Sequence, residues 1–377
     1  MRLSDLRMCS FVLVFLLVPV LSGFTNIAHR GENHDNEIAE HSFAAYDRAL
    51  ADQADILELD VHQTSDHVLV VSHDRNMQRV FGVSLDITKT PYYILKQYRN
   101  SAGEHLLTVQ EVFARYQSDP DIKIMMETKN EDYPTGMENL LISQIHQYGL
   151  SGRVSIESFS SESLELVKQL DANIPTVLLA NGNQRVQQVE NNNAYASSTY
   201  SSGTGKYLQQ LGKHYYLWGT DDDSGMRHLI STNLVTGIFT NYPDRLSTIL
   251  GTNTGRVRRI QGTIYIKYAP KYSVVVRQGY GPSGVLTNVF WQANSAHYAT
   301  CVVRSDNHLW YGFGNNQWLD SKYISTDVPV ENDQSTKKGM PGIVRIKFKV
   351  GGHGYSVLLW HNPDGTQSTG RMVVSVE

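Results

Sequence analysis

Between Thr25 and Leu250 short apolar runs alternate with segments of helical spacing, and that rhythm leaves few folds open. "TNIAH" reads as a strand, "SFAAYDRALA" as a helix with Phe43, Tyr46 and Leu50 on one side, and "ILELDVHQT" as a strand again. "HVLVVSHD" follows as a hairpin partner. "LLTVQEVFARY" is helical, "IKIMMETK" a strand, and "GMENLLISQIHQYG" a helix that ends at Gly149. "RVSIESF", "SESLELVKQL" and "PTVLLA" continue the pattern, a Ser/Gly/Tyr-rich stretch interrupts it, and "YYLWGT", "SGMRHLIST" and "VTGIFTNYP" resume it. About 225 residues of this kind are the size of a TIM (β/α)8 barrel, with an open doubly wound sheet as the structural rival.

The positions of the polar residues favour the barrel. His29, Glu58 with Asp60, Glu127 with Lys129, Glu157, Trp218 and Asn241 fall at or just beyond the C-terminal ends of strands, which in a barrel open on one face. Within "ELD" and "ETK" the polar residues are two apart, so both members of each pair point to the same side of their strand. Converging carboxylates repel unless a cation lies between them, and hard oxygen ligands suit Ca²⁺ or Mg²⁺ better than zinc. Such an ion would polarise a phosphoryl oxygen. His29 and His73 follow separate apolar strands and are suited to remove one proton and supply another. Arg30 and Lys129 offer fixed positive charge to a phosphate. Each motif has a plainer alternative: Glu-x-Asp as a solvated strand end, His73-Asp74 as loop chemistry, Trp218 as a cap on the core. Their conjunction is more specific than any one of them.

The two ends of the chain differ from this body. Arg2 and Arg7 flank an uncharged run from Phe11 to Leu21, followed by Ser22-Gly23, so residues 1–24 read as a secretory signal peptide or an uncleaved membrane anchor. Export is expected either way, leaving the chain outside the cell, wall-associated or membrane-anchored. Cys9 lies ahead of the apolar core, which leaves Cys301 as the only thiol of a processed chain. From Arg256 onward 14 Lys and Arg face 7 Asp and Glu, whereas the preceding part carries 19 against 30. An acidic body with a basic tail suggests a cation site in one and an anionic partner for the other. In the tail, "GTIYIKYAPKYSVVVRQGYGPSGVLTNVFW" aligns with "GIVRIKFKVGGHGYSVLLWHNPDGTQSTGRMVV", a β-rich internal repeat. The expected organisation is a barrel over 25–250, a β module over 260–326, a linker over 327–341 and a partial second repeat over 342–377.

"AHRG", Glu40 with Ser42, "DILELDVHQTSDHVLVVSHDRNMQRVFG", "LLTVQEVF", "METK", "SIESF", "LWGTD" and "GIFTNYPDRL" resemble, in order, the signature of the glycerophosphodiester phosphodiesterases. The resemblance covers nearly all of residues 26–250. It implies a TIM barrel with a small insertion after the second strand, at about 75–110. By the same resemblance His29 and His73 are the catalytic pair and Glu58, Asp60 and Glu127 the ligands of a divalent cation, Ca²⁺ or Mg²⁺. Arg30, Lys129 and Glu40 belong to the substrate site, with Trp218 at its strand end. The implied reaction splits a glycerophosphodiester into glycerol 3-phosphate and an alcohol. The chain departs from the family pattern at His41 and Asn241, where Asn and Asp are frequent, and neither change removes a presumed ligand or histidine. "HLWYGFGNNQWLDSKYIS" is similar to the closing strands of bacterial SH3-like wall-binding modules, with Trp310, Tyr311 and Trp318 as glycan-facing or core aromatics.

These readings combine into an exported phosphodiesterase acting on deacylated phospholipids or on teichoic-acid glycerophosphate, with an anionic wall polymer or peptidoglycan as partner of the tail. No nucleic-acid partner is expected. Two alternatives stand beside it: a wall-binding surface protein whose barrel is a scaffold, and a sphingomyelinase D-like phospholipase on the same barrel, against which the insertion argues.

Overall fold

The computed structural model describes residues 23–129, 136–253 and 255–328, together with two strands at Val357–Trp360 and Ser368–Val373. The N-terminal apolar run up to residue 22 and most of the 327–341 and 342–377 segments lie outside the described residues. Among the described residues no helix is long and apolar enough to cross a membrane.

The chain runs β1 (Thr25–Ala28), α1 (Phe43–Ala51), β2 (Ile56–Gln63), β3 (Leu69–Val71), α2 (Gln78–Phe81), α3 (Tyr92–Leu95), α4 (Val109–Tyr116) and β4 (Lys123–Thr128). It continues through α5 (Met137–Gln147), β5 (Val154–Ser158), α6 (Ser161–Leu170), β6 (Thr176–Ala180), β7 (Ala194–Ser197) and α7 (Ser202–Gln210). Next come β8 (His214–Leu217), α8 (Asp223–Ser231), β9 (Gly237–Thr240) and α9 (Pro243–Leu250). Strands β1, β2, β4, β5, β6, β7, β8 and β9 are parallel neighbours in that order, and β1 pairs with both β9 and β2, which closes the barrel. The helices begin where the sequence supplies acceptors for free N–H groups: Ser42 caps α1, and Thr108 with Glu111 forms a reciprocal capping box on α4.

Two apolar layers hold the barrel. Ile27, Ile56, Met125, Val177, Leu179, Ala194, Ala196, Tyr216 and Phe239 fill its interior. A larger cluster, including Leu57, Leu59, Ile124, Met126, Leu141, Ile156 and Leu178, lies between strands and helices. Because side chains alternate along a strand, the residue two beyond an interior one also faces inward. Ile27 thus leads to His29, Ile56 to Glu58 and Asp60, Met125 to Glu127, and Phe239 to Asn241. The packed interior is the floor on which the polar residues stand.

The stretch expected to be irregular, 181–214, holds a complete strand-and-helix unit, β7 and α7. Two glycines inside α7 weaken its helical signal. Gly205 is there for contact, since a Cβ at this position would lie 2.8 Å from the Leu234 Cβ. β3 pairs antiparallel with β2, and the insertion that follows it carries α2, a 3₁₀ turn at Ile87–Lys89 and α3, packed with β3 around a small core of Val70, Met77, Ile87, Leu95 and Leu106.

Beyond the barrel lie β10 (Arg258–Ile266), β11 (Ser273–Gln278), β12 (Val285–Gln292), β13 (Ala296–Ser305), β14 (His308–Gly312), β15 (Gln317–Asp320) and β16 (Ile324–Ser325), an antiparallel sheet in the order β12-β11-β15-β14-β13-β10-β16. Its Ile260, Ile264, Val302, Leu309 and Tyr311 join the outer barrel core. Strands β17 (Val357–Trp360) and β18 (Ser368–Val373) pair with each other. The β11–β12 pairing shifts register between Val275 and Arg277, and the β17–β18 pairing shifts between Leu358 and Trp360, the positions that the repeat alignment through Tyr272 and Tyr355 sets opposite one another.

Candidate active site

β1 ends in a turn that Gly31 makes possible: its φ is +84°, and a Cβ there would come within 2.8 Å of the Ala45 Cβ. This brings the loop against α1 and lets the Arg30 backbone N–H donate to Glu58 Oε2 at 2.8 Å. His29 Nδ1–H donates to Asn241 Oδ1 at 2.9 Å. The Asn241 amide can face only this way, because its Nδ2 donates to Asp35 at 2.7 Å and to Asp221 at 3.2 Å. Asn241 therefore fixes the His29 tautomer with Nδ1 protonated and Nε2 as the basic nitrogen. Burial, aided by the Arg30 charge, pushes His29 down to about 3, so its imidazole is neutral through the physiological range.

His73 follows β3, whose end is held to β2 by the Ser72 N–H donating to the Asp60 carbonyl. Its Nδ1–H donates to Asp74 Oδ1 at 2.8 Å, again leaving Nε2 for chemistry. Burial lowers His73 from its ordinary value, against the pull of Asp60. His62, inward-facing on β2 beyond Asp60, donates from Nε2 to the His73 carbonyl at 3.2 Å. Burial brings His62 down to about 4.

The carboxylates converge as the strand pairing requires, since Asp60 is the register partner of Glu127 and Glu127 that of Glu157. Asp60 is the most heavily countered. Its Oδ1 is 2.9 Å from Lys129 Nζ, and its Oδ2 accepts from His41 Nε2 at 2.9 Å and lies 3.3 Å from Arg30 Nε, an ion pair not aligned for a hydrogen bond. Although burial opposes it, Lys129, His41 and Arg30 hold Asp60 well below the usual carboxylate range. Glu58, Glu127 and Glu157 move the other way. Burial and then Asp60 drive all three up, Glu157 to about 8. Glu127 Oε1 and Glu157 Oε2 are buried without a hydrogen-bond partner among the described residues, while Lys129 Nζ donates to the other Glu127 oxygen at 2.6 Å. Buried, repelling carboxylates with orphaned oxygens fit a hard divalent cation.

A tighter set of possible ligand atoms, within 4.8 Å of one another, is Glu32, His34 and Asp244. One Glu32 oxygen is already shared by Arg48 at 3.1 Å and Arg304 at 3.3 Å, so this cluster carries its own counter-charge.

Glu40 stands at the edge of the site. Both its oxygens are taken by the Arg79 guanidinium, at 2.8 and 2.6 Å, and Arg30 Nη1 reaches one of them at 3.3 Å. Burial opposes its charge, but the Arg79 fork, His41 and Arg30 outweigh it and bring Glu40 down to about 2. Glu40 therefore meets the barrel-end cluster through Arg30. Trp218, just past β8, packs edge-to-face on Phe159 with centroids 6.0 Å apart, at the rim of the interior apolar layer. His41, with a positive φ of 54°, links the Tyr46 hydroxyl at 2.8 Å to Asp60.

Sequence reasoning missed Arg79, His62 and Asp221. Asp221 is one of three consecutive aspartates, and only the fold shows it accepting from the Thr240 hydroxyl and the Asn241 N–H. Arg79 lies within the quoted insertion motif, yet its partners are 5 and 39 residues away.

A closed (β/α)8 barrel with two imidazoles, two cations and a carboxylate cluster at the C-terminal ends of its strands defines an acid–base enzyme for an anionic substrate. The model of the glycerophosphoryl diester phosphodiesterase family matches residues 29–245, more than half of the chain, which belongs to that family and is an enzyme of that activity. A glycerophosphodiester phosphodiesterase of Bacillus subtilis is 30% identical over 249 residues, covering 58% of this chain and 83% of the relative. One from Caldanaerobacter subterraneus is 36% identical over 162 residues, 41% of this chain and 65% of the relative. A crystal structure of a glycerophosphodiester phosphodiesterase from Parabacteroides distasonis superposes with a TM-score of 0.53 at 24% identity, over 61% of this chain and 99% of that one. An Oleispira antarctica phosphodiesterase, solved in complex with the product sn-glycerol-3-phosphate, gives a TM-score of 0.53 at 18% identity, over 60% and 96%. These two likenesses speak for the fold.

Proposed function

We propose that the enzyme is exported, works with a divalent cation, and cleaves glycerophosphodiesters at the cell wall, polymeric glycerophosphate foremost. The observation that carries the catalytic part is the pairing of two imidazoles, each with Nδ1–H held by a side chain and Nε2 left for proton transfer, beside buried carboxylates with orphaned oxygens. Glu58, Asp60, Glu127 and Glu157 would hold the cation. When bound, it supplies Lewis-acid polarisation of a phosphoryl oxygen and neutralises charge gathering in the transition state.

The chain's own groups divide the remaining work. His29, neutral and bonded to an uncharged amide, is suited to accept the proton of the attacking oxygen, which is water or the hydroxyl beside the phosphate on glycerol. His73, whose imidazolium the Asp74 carboxylate stabilises, is suited to give a proton to the departing alcohol oxygen. Arg30 and Lys129 pair with the non-bridging phosphate oxygens. Glycerol 3-phosphate and an alcohol result when water is the final acceptor.

Three features support the wall reading. The N-terminal apolar run is built as an export segment, and the tail is basic. A cavity of about 300 Å³ in the antiparallel sheet is lined by Arg277, Lys322, Tyr268, Tyr323 and Trp310, where cations stand beside aromatic faces. Trp310 Nε1–H is buried there without a partner among the described residues. A tether of this kind raises the local concentration of polymeric substrate. Purified protein given polyglycerophosphate or glycerophosphocholine at equal phosphodiester concentration tests the reading. Faster release of glycerol 3-phosphate from the polymer is expected, and release from glycerophosphocholine alone would overturn the wall assignment.

A further inference from the structure

Arg79 lies in α2, inside the insertion, and its planar fork joins carboxylates from two other parts of the chain. Nε donates to Asp74 Oδ2 at 2.6 Å, while Nη1 and Nη2 donate to the two oxygens of Glu40 at 2.8 and 2.6 Å. The other Asp74 oxygen receives His73 Nδ1–H at 2.8 Å, and Glu40 Oε2 lies 3.3 Å from Arg30 Nη1. An unbroken series runs His73, Asp74, Arg79, Glu40, Arg30. The Asp74 side chain is one-third exposed, and an aspartate so placed on a loop would sample many rotamers. Glu40 is 3% exposed and fixed, so the guanidinium transfers its rigidity to Asp74. Lysine has a single ammonium and cannot reproduce a fork that spans two carboxylates.

We propose that Arg79 is a positioning residue that locks His73 in the tautomer with Nδ1 protonated and couples its placement to that of Arg30. The insertion is thereby part of the catalytic apparatus, because it supplies the brace between the proton-transferring imidazole and the phosphate-binding guanidinium. His62 holds the His73 backbone from below and does not fix its ring, so the brace is needed as well. The proposal rests on the phosphodiesterase reading for its catalytic consequence but not for its structural content, and the tests separate the two.

The first readout is the His73 tautomer, followed by ¹⁵N NMR of histidine-labelled protein in the parent and in Arg79→Ala. Predominantly Nδ1–H in the parent, with Nε2–H gaining in the variant while His29 keeps its tautomer, is the expected result. An unchanged His73 tautomer overturns the proposal. Turnover of glycerophosphocholine is the second readout. Arg79→Ala should lose about 10- to 100-fold in kcat with KM changing far less. Arg79→Lys should recover little, and added guanidinium should restore part of the loss in Arg79→Ala. Asp74→Asn combined with Arg79→Ala should be no slower than the slower single variant. A kcat within twofold of the parent, or losses that multiply, would overturn it. If the parent releases no glycerol 3-phosphate, the function reading falls, and the tautomer measurement still decides the brace.

Discussion

At the scale of single residues, the departures from the family pattern are where the chain's chemistry is its own. An asparagine rather than a carboxylate orients His29, so the imidazole gains a fixed direction, and the small upward pull of that bond is outweighed by burial and by the Arg30 charge. Asn241→Ala should therefore lower kcat about 10- to 100-fold while leaving KM nearly unchanged, by analogy with the loss of other orienting partners of a functional histidine. Steady-state kinetics check this, and a change confined to KM would assign Asn241 to substrate binding instead. The sequence shows which residue types gather at strand ends but not which proton each imidazole carries. That depends on Asp35 and Asp221, which meet Asn241 only through the closed barrel. Glu40 illustrates the same limit: its motif position is legible, whereas its service to Arg30 depends on a guanidinium 39 residues away.

At the scale of elements, the site follows from strand register and one turn. The two-residue periodicity of "ELD" and "ETK" places three carboxylates on the inward side, and the structure keeps them there because Ile56 and Met125 anchor the same faces. The missed β7–α7 unit shows what periodicity cannot supply, since four buried residues and a glycine-bearing helix give a weak pattern until neighbours pack on them. Gly31→Ala should push the β1 loop away from α1 and break the Arg30-to-Glu58 contact. Loss of activity exceeding any fall in Tm is expected, and unaltered activity would remove the turn from the account. The carboxylate cluster also carries a pH prediction. Burial raises Glu157 above its unfolded value, so its contribution to stability is complete below about pH 4.5 and is lost as pH rises through about 8. Metal-free protein should accordingly become less stable between pH 5 and 9, and Ca²⁺ or Mg²⁺ should raise Tm more at the alkaline end of this range. Thermal unfolding with and without chelator measures it, and a cation effect independent of pH would contradict the assigned ligands.

At the scale of the whole molecule, the antiparallel sheet is built into the barrel and is not a loose appendage. Asp47 of α1, fully buried, receives Arg115 Nε at 3.0 Å, the Tyr116 hydroxyl at 2.8 Å and, from the sheet, the Tyr311 hydroxyl at 2.7 Å. Arg304 of β13 pairs with Asp52 and Glu32, and Arg258 of β10 donates to Asp119 at 2.9 Å. Since α1 follows the loop that carries Arg30, Glu40 and His41, the sheet stiffens one wall of the active site. Tyr311→Phe should cost about 1 kcal/mol of stability, because it leaves the Asp47 carboxylate with its remaining partners. His105 joins the insertion to Asp327 past the sheet's end. Burial disfavours its charge, but Asp327 and Glu111 outweigh burial and push it up to about 9. The stabilisation it contributes is therefore full below pH 6.5 and disappears as pH rises through about 9. His105→Gln should lower Tm at neutral pH and have little effect at pH 10, as scanning calorimetry would reveal.

The central claim, that His29 and His73 cleave a phosphodiester beside a cation held by Glu58, Asp60, Glu127 and Glu157, is tested most directly by release of glycerol 3-phosphate from glycerophosphocholine. The parent, His29→Ala and His73→Ala would be assayed with Ca²⁺, with Mg²⁺ and with chelator. Cation-dependent release by the parent that either substitution abolishes is the predicted result. Undiminished release in chelator, or turnover that survives both substitutions, would contradict it.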